Sequence, residues 1–239
     1  MPSLRAVLFD IDDTLVATSE FARLARRNAV DAMIEAGLEM EFEAVLAELN
    51  EVIGEFSSNY DHHFDKLIQR LELDLGGKNR ALIVAAGVVA YHNTKFTELE
   101  PFDDVIPLLK GLQKAGLKTG VITHGWTVKQ AEKLVRLKLV PYLEPSAIFI
   151  SDQIGISKPN PKLYQTALRS LGLAAEEVMY VGDSPAHDIV PANTIGMVSV
   201  YSSRASRYRI EQTGVEPTYS VANFEELREI LNRDFGLTL

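Results

Sequence analysis

The chain has 239 residues, 46% of them hydrophobic, with 24 Lys and Arg against 33 Asp and Glu and a net charge of −9. Nucleic acids and anionic membranes bind basic surfaces, so this balance argues against either as the main partner. The absence of cysteine excludes disulfides and thiol chemistry. There is no secretory signal pattern, and the longest apolar run, 81–91, is too short to span a membrane, so we expect a cytoplasmic protein.

The first predicted element is a short buried strand from Ala6 to Phe9, and the chain turns polar directly after it. Asp10 and Asp12 follow, two residues apart. An uncompensated charge in the interior is costly, so these carboxylates need a partner or an exposed position. A shared divalent cation and an exposed tight turn both satisfy this requirement, and the local sequence leaves both open.

Residues 17–96 are predicted to form an all-helical insert of four helices, a small bundle placed after the first strand. Apolar residues recur at three- and four-residue spacing over 21–37, 42–56 and 64–71. The fourth segment, 81–91, is apolar on most sides, so we expect it to pack against the other three. No strand pattern interrupts this region.

From residue 101 onwards, helices and strands alternate. The predicted helices are 105–115, 126–137 and 161–171, the predicted strands are 117–122, 147–150, 178–181 and 197–201, and a capping box at Asn223 begins a last helix. This order predicts a Rossmann-like α/β core, in which helices cover both faces of a parallel sheet. The predicted domains are 1–16 with 97–239 as the catalytic core, and 17–96 as the insert.

Polar residues follow the predicted strands. Asp10, Thr123 and Asp183 come after the first, second and fourth strands, and Lys158 lies in the segment after the third. Ligands bind at the carboxyl ends of such strands, so we expect these side chains to converge. The residue types suit phosphoryl transfer, because a carboxylate can attack phosphorus and Mg²⁺ prefers carboxylate and phosphate oxygens. Hydroxyl and ammonium groups would hold the phosphoryl oxygens, while Asp12 could act as acid and base.

With these residues in place, the chain resembles the haloacid dehalogenase superfamily of hydrolases, and within it the phosphatase branch. Four motifs stand in the superfamily's order, namely Asp10-Ile11-Asp12-Asp13-Thr14, Thr123, Lys158 and Gly182-Asp183-Ser184-Pro185-Ala186-His187-Asp188. The helical insert resembles the first type of cap found in the superfamily. Two positions depart from the usual pattern, because His124 and His187 stand where many relatives carry Asn.

The resemblance implies a role for each motif residue. Asp10 would be the nucleophile and Asp12 the general acid and base. Thr123, Lys158 and the backbone amide of His124 would bind the substrate phosphate. The implied Mg²⁺ ligands are Asp10, the backbone carbonyl of Asp12, Asp183 and, directly or through water, Asp188.

The leading hypothesis is a Mg²⁺-dependent phosphatase that acts on a small phosphorylated metabolite through an aspartyl-phosphate. Triose phosphates, phosphoglycolate, sugar phosphates and nucleotides are all candidate substrates, and the chain could be a monomer or a homodimer. A phosphomutase would keep Asp12 and stays open. A 2-haloacid dehalogenase needs no acid for its leaving group, so Asp12 argues against it. A phospho-acceptor signalling module is the remote alternative, since receiver domains are about half as long and lack the insert.

Other conspicuous residues have simpler interpretations. We predict that His62 and His63 form a surface pair at a helix entry, that Arg204, Arg207 and Arg209 are solvated, and that Trp126 packs at a helix start. Specificity would come from side chains of the insert. The candidates are Ser19, Glu20, Tyr60, His63, Tyr91 and His92.

Overall fold

The structure, a computed structural model, describes residues 3–57, 60–71 and 77–239. The chain divides into two compact units. The core unit runs to Thr18 and resumes over Glu100–Leu239, and the insert unit is Ser19–Leu99. In the described part of the chain, no helix combines the length and the apolar character that crossing a membrane requires.

The core unit contains a parallel sheet, as predicted. Its strands are β1 Ala6–Phe9, β2 Lys118–Thr123, β3 Ile148–Ile150, β4 Val178–Gly182, β5 Val198–Ser202 and β6 Tyr219–Val221. They lie side by side in the order β3-β2-β1-β4-β5-β6. Ala6 of β1 stands opposite Lys118 on one side and Val178 on the other. The edge strand β6 was not predicted, because it is short and only one of its residues, Val221, is buried.

The insert unit contains four helices and, among its described residues, no strand. They are α1 Thr18–Glu35, α2 Phe42–Phe56, α3 His63–Leu71 and α4 Arg80–Glu98. Residues from all four helices form one apolar core, which includes Met33, Leu49, Leu67 and Ile83.

The 81–91 segment packs against the other three helices, as predicted, but only part of its apolar surface is buried. Leu82, Val89 and Phe96 of α4 are 68%, 56% and 77% exposed. The buried residues of the helix form a narrow stripe that includes Ile83 and Gly87. Gly87 allows close approach, because a Cβ there would lie 2.8 Å from the Met33 side chain. The apolar residues around α4 are therefore a poor guide to its burial, because only this stripe faces the rest of the bundle.

The remaining helices belong to the core unit. They are α5 Val105–Lys114, α6 Thr127–Arg136, α7 Ser151–Ile154, α8 Pro161–Leu171, α9 Val190–Ile195 and α10 Phe224–Phe235. Leu8 belongs to the apolar cluster that contains Leu163 of α8. The next residue, Phe9, packs its ring 5.6 Å from Phe224 of α10. Successive strand residues point to opposite faces, so these two contacts show that helices cover both faces of the sheet.

The prediction for Arg204 was wrong, because its side chain is only 12% exposed. Its guanidinium donates hydrogen bonds of 2.7 and 2.6 Å to the two carboxylate oxygens of Asp104. It also lies 4.5 Å from the ring centre of Phe102 and 4.7 Å from that of Phe224. Burial alone would raise the pKa of Asp104, but the bonds from Arg204 and from the Phe224 amide lower it. Arg204 therefore joins the loop after β5 to the starts of α5 and α10.

Candidate active site

The predicted site residues meet at one edge of the sheet. Asp10 follows β1, Thr123 ends β2 and Asp183 follows β4, and these three strands are neighbours. Carboxylate oxygens of Asp10, Asp183 and Asp188 lie within 4.8 Å of one another, and we call these three residues the acidic cluster. Within the described ranges, no other group of His, Asp and Glu side chains is arranged in this way.

A tight loop after β1 presents the first pair of carboxylates. The Asp10 amide donates a 2.8 Å hydrogen bond to the Val181 carbonyl and so extends the ladder between β1 and β4. The chain then turns, with the Leu15 amide bonded to the Ile11 carbonyl at 2.9 Å. The side chains of Ile11 and Leu15 are fully buried, and they anchor the loop. Asp13 has a φ of +56°, which Asp tolerates better than most residues.

A second loop, after β4, brings Asp188 back towards the strand it follows. The Ser184 amide donates a 2.9 Å hydrogen bond to Asp188 Oδ2, and the turn Pro185–Ile189 is a single π-helical turn. Such turns are frequent at functional sites. A Cβ on Gly182 would lie 2.4 Å from the Asp188 carboxyl carbon, so only glycine leaves room for this approach.

Lys158 lies at the centre of the site, with 3% of its side chain exposed. Its Nζ donates hydrogen bonds to Asp10 Oδ1 at 2.8 Å, to Asp188 Oδ1 at 2.7 Å and to the Tyr180 hydroxyl at 2.7 Å. Burial would lower the pKa of Lys158, but the carboxylates of Asp10 and Asp188 raise it above its usual value. The ammonium is therefore charged and paired with two carboxylates at once.

The single positive charge of Lys158 does not neutralise the three carboxylates of the acidic cluster. Burial raises the pKa of Asp10 to about 7, with the charge of Asp188 adding to the effect and that of Lys158 opposing it. Burial, followed by the charges of Asp188 and Asp10, raises the pKa of Asp183 to about 8. A divalent cation would relieve this excess of negative charge, and three carboxylates are hard oxygen ligands of the kind that Mg²⁺ takes. The residues present therefore fit a bound divalent cation.

The Thr123 hydroxyl has the position expected of a ligand-binding group. Thr123 is 1% exposed, and its hydroxyl has no hydrogen-bond partner in the part of the chain that the structure describes. A buried polar group without a partner is costly, so such a group is commonly completed by water, an ion or a ligand. The adjacent His124 is exposed, and its Nδ1 lies 2.7 Å from the Ser157 hydroxyl.

Asp12 is held in place by side chains whose role the sequence pattern did not indicate. Its carboxylate accepts hydrogen bonds from Lys133 at 2.5 Å, Thr18 at 2.6 Å and Gln130 at 3.2 Å. Burial would raise the pKa of Asp12, but Lys133, with help from the other two donors, lowers it. Lys133 and Gln130 lie three apart on α6, the helix that follows Thr123. This polar pair on one helix was the feature of the sequence that could have indicated partners for Asp12.

His124 and His187, the two positions that depart from the usual family pattern, lie near the site but are not part of its acidic cluster. His187 is exposed, and its Nδ1 lies 3.1 Å from the Ser184 hydroxyl. Burial, followed by the positive charges of Lys158 and His187, lowers the pKa of His124. Trp126 was expected to pack at the start of α6, but it is 46% exposed, with Lys129 Nζ 4.5 Å above its ring centre. It occupies the cap position before α6.

Among the described residues of the insert unit, the histidines do not form a metal site. His62 Nδ1 lies 3.5 Å from a carboxylate oxygen of Asp65, and 68% of the His62 side chain is exposed. His63 Nε2 lies 2.8 Å from the Ser57 carbonyl, and Tyr60 packs edge-on against both histidines. Tyr60 and His63 were specificity candidates. The others, Ser19, Glu20, Tyr91 and His92, also lie in the insert unit, and these assignments stay predictions.

Comparisons with known proteins agree over almost the whole chain. A sequence model described as haloacid dehalogenase-like hydrolase matches residues 7–201. A protein named glyceraldehyde 3-phosphate phosphatase, from Methanopyrus kandleri, is 44% identical over 95% of this chain and 97% of its own length. A protein of the same name from Methanocaldococcus jannaschii is 39% identical over 95% and 97%. The crystal structure of an HAD phosphatase from Thermococcus onnurineus matches with a TM-score of 0.64 and 24% identity, covering 95% of this chain and 98% of that one.

Proposed function

Because the chain belongs to the haloacid dehalogenase-like hydrolases, we propose that it is a phosphatase that acts on a small phosphorylated metabolite. The observation that carries the proposal is full-length similarity, at 44% and 39% identity, to proteins named glyceraldehyde 3-phosphate phosphatase. From the substrate classes open to the sequence, we therefore propose the triose phosphates, with glyceraldehyde 3-phosphate first among them. Phosphoglycolate, sugar phosphates and nucleotides become comparison substrates.

In the proposed reaction, Asp10 is the nucleophile. A carboxylate oxygen of Asp10 attacks phosphorus, a P–O bond forms, and the bond between phosphorus and the sugar oxygen breaks. Lys158 is already within 2.8 Å of Asp10, so its charge can offset the charge that develops on the phosphoryl oxygens. The hydroxyl of Thr123, which has no partner among the described residues, is available to donate a hydrogen bond to one of these oxygens. The backbone amide of His124 is the third group that we assign to the phosphate.

Asp12 is proposed as the general acid and base. Once protonated, it gives its proton to the departing sugar oxygen, and the resulting carboxylate then takes a proton from the water that attacks the aspartyl-phosphate. Lys133 favours the ionised form, so the free enzyme presents Asp12 as a base and the acid step requires proton uptake. This second carboxylate is what a dehalogenase does not need, and it supports the phosphatase over that alternative.

Mg²⁺ is the proposed cofactor, and the acidic cluster would hold it. When bound, the ion would neutralise charge on the phosphoryl group and help to orient it. Asp10, Asp183 and the backbone carbonyl of Asp12 are the proposed direct ligands. Both oxygens of Asp188 already accept hydrogen bonds, Oδ1 from Lys158 and Oδ2 from the Ser184 amide. We therefore propose that Asp188 acts through water or by orienting its neighbours.

The test is phosphate release from a panel of phosphoesters, with and without Mg²⁺. The panel contains glyceraldehyde 3-phosphate, dihydroxyacetone phosphate, phosphoglycolate, a hexose phosphate and a nucleoside monophosphate. Asp10→Asn removes the nucleophile and keeps the size of the side chain, so we expect it to reduce release to background. Asp103→Asn, at an exposed carboxylate outside the site, is the matched control and should behave like the parent.

The proposal predicts Mg²⁺-dependent release that is highest with a triose phosphate. Release that is equal in the parent and in Asp10→Asn would refute the nucleophile assignment. Isomerised phosphoester without free phosphate would identify a phosphomutase, and halide released from a 2-haloacid would identify a dehalogenase. A phosphorylated Asp10 that persists without turnover would indicate the signalling alternative.

A further inference from the structure

Tyr180 of β4 carries a hydroxyl that the packing of its strand does not require. All five positions of β4 are buried, and the ring of Tyr180 lies in the apolar cluster between the sheet and α8. A phenylalanine would fill the same space. The tyrosine hydroxyl, however, reaches the active site, where it accepts a hydrogen bond from Lys158 Nζ at 2.7 Å. Neither the family motifs nor the reaction described above assigns it a role.

The hydrogen bonds of Lys158 show why this contact matters. An ammonium has three N–H donors, and Lys158 has three acceptors, namely Asp10, Asp188 and Tyr180. Every donor is therefore used, and the direction of the ammonium is fixed at all three positions. The bond to Asp10 is the one that changes when this carboxylate attacks phosphorus. The bonds to Asp188 and Tyr180 are then the two that keep the ammonium in place.

The Tyr180 hydroxyl also touches the other segments of the site. Its single proton has two acceptors within reach, the Ile122 carbonyl at 2.9 Å and Asp188 Oδ1 at 3.1 Å. Ile122 directly precedes Thr123, which we assign to the phosphate. One hydroxyl thus contacts the β2 end, the Lys158 segment and the Asp188 loop.

We propose that Tyr180 is a positioning residue whose hydroxyl orients the Lys158 ammonium and the Asp188 carboxylate for phosphoryl transfer. The catalytic part of this proposal rests on the proposed phosphatase function. The structural part, that Lys158 is held by Tyr180, can be tested without turnover. Side-chain partners of this kind typically change activity or metal affinity by about 10- to 100-fold when they are removed.

Tyr164 of α8 provides a matched control. It is fully buried, as Tyr180 is, and its ring packs edge-on against that of Tyr180 at 5.0 Å. Its hydroxyl donates a 2.6 Å hydrogen bond to the backbone carbonyl of His187. Tyr164→Phe and Tyr180→Phe thus each remove one buried hydroxyl from the same cluster. A merely structural role predicts that the two variants behave alike.

The first measurement is the exchange of the Lys158 ammonium protons with water, followed by NMR on ¹⁵N-lysine-labelled protein in the presence of Mg²⁺. The Lys158 resonance is the one absent from Lys158→Arg. Loss of one hydrogen bond to a charged group should raise the exchange rate about tenfold in Tyr180→Phe. Tyr164 interacts with the Tyr180 hydroxyl but accepts none of the three hydrogen bonds of Lys158, so Tyr164→Phe should raise the rate clearly less than Tyr180→Phe does. The second measurement is turnover, where Tyr180→Phe should lower kcat by about 10- to 100-fold and change KM less.

Parental exchange in Tyr180→Phe would overturn the proposal, as would an equal rise in both tyrosine variants. An equal loss of kcat in both variants would overturn its catalytic part. If the parent releases no phosphate from any ester, the proposed function fails. The exchange comparison still decides whether Tyr180 holds Lys158, so the two failures can be told apart.

Discussion

Replacing Asp10 by Asn should abolish turnover and, at the same time, stabilise the metal-free protein. Asp10 is buried among like charges, and its pKa is raised from 3.8 to about 7. At about 1.4 kcal/mol per pH unit, this difference corresponds to a penalty of about 4 kcal/mol on the ionised form in the folded state. Asn cannot ionise and escapes the penalty, while its amide oxygen can still accept the bond from Lys158. We therefore expect a gain of up to about 4 kcal/mol at pH 8.

The pH dependence of this gain has a definite sign. Because folding favours the neutral form of Asp10, the parent has the full stabilisation from that form below pH 3.8 and loses it as the pH rises through about 7. Asp10→Asn loses nothing over that range. The difference in stability between variant and parent should therefore be small near pH 4, grow towards pH 7 and level off above it.

The assay is thermal unfolding by calorimetry in EDTA, at pH values from 4 to 8. For a chain of this size, about 1 kcal/mol corresponds to about 2–4 °C in Tm, so a shift of roughly 10 °C is expected at pH 8. Asp103→Asn, at an exposed carboxylate, should shift Tm little at any pH. A variant no more stable than the parent at pH 8, or a gap that is larger at pH 5 than at pH 8, would refute the reasoning.

Three further predictions concern other parts of the site. Lys133→Met removes the ammonium that lowers the pKa of Asp12, so the limb of the kcat/KM–pH profile governed by Asp12 should move to higher pH; movement to lower pH would contradict the assignment. Removal of Mg²⁺ should lower Tm more at pH 8 than at pH 6, because the acidic cluster must lose protons to bind the ion. At a Mg²⁺ concentration of 100 times Kd, binding adds about 2.7 kcal/mol to the free energy of unfolding. Gly182→Ala places a Cβ 2.4 Å from the Asp188 carboxyl carbon and should cost about 1–3 kcal/mol together with activity. Gly54→Ala, on a helix surface with open space around it, should be neutral or stabilising in the same unfolding assay.

The edge of the sheet that carries the candidate site was the most predictable part of the molecule. Asp10, Thr123 and Asp183 each follow or end an apolar strand, and parallel strands place their carboxyl ends together. Their convergence therefore followed from the order of elements alone. The edge strand Tyr219–Val221 gave no comparable signal, because it is short and neither uniformly apolar nor preceded by a clear helix pattern.

The supporting contacts could not be predicted, because they depend on side-chain direction across long separations. Lys133 is one of several basic residues on α6, and its bond to Asp12 spans 121 positions. Arg204 is one of three arginines in a polar segment, and its partner Asp104 precedes it by 100 positions. In the sequence, Tyr180 looks like any other buried strand residue, and only the structure shows that its hydroxyl contacts Lys158. In each case only the folded arrangement selects one residue from several similar ones.

The pairing of β1 with β2 has a consequence for how this chain can evolve. The register that sets Ala6 opposite Lys118 is fixed by contacts between buried strands, although the whole insert unit intervenes. The entropic cost of closing such a connection rises by only about 0.6 kcal/mol for each doubling of its length. Selection can therefore lengthen, shorten or exchange the intervening segment at little thermodynamic cost to the sheet. Descendants of one ancestor can therefore differ in this segment while they inherit the same sheet.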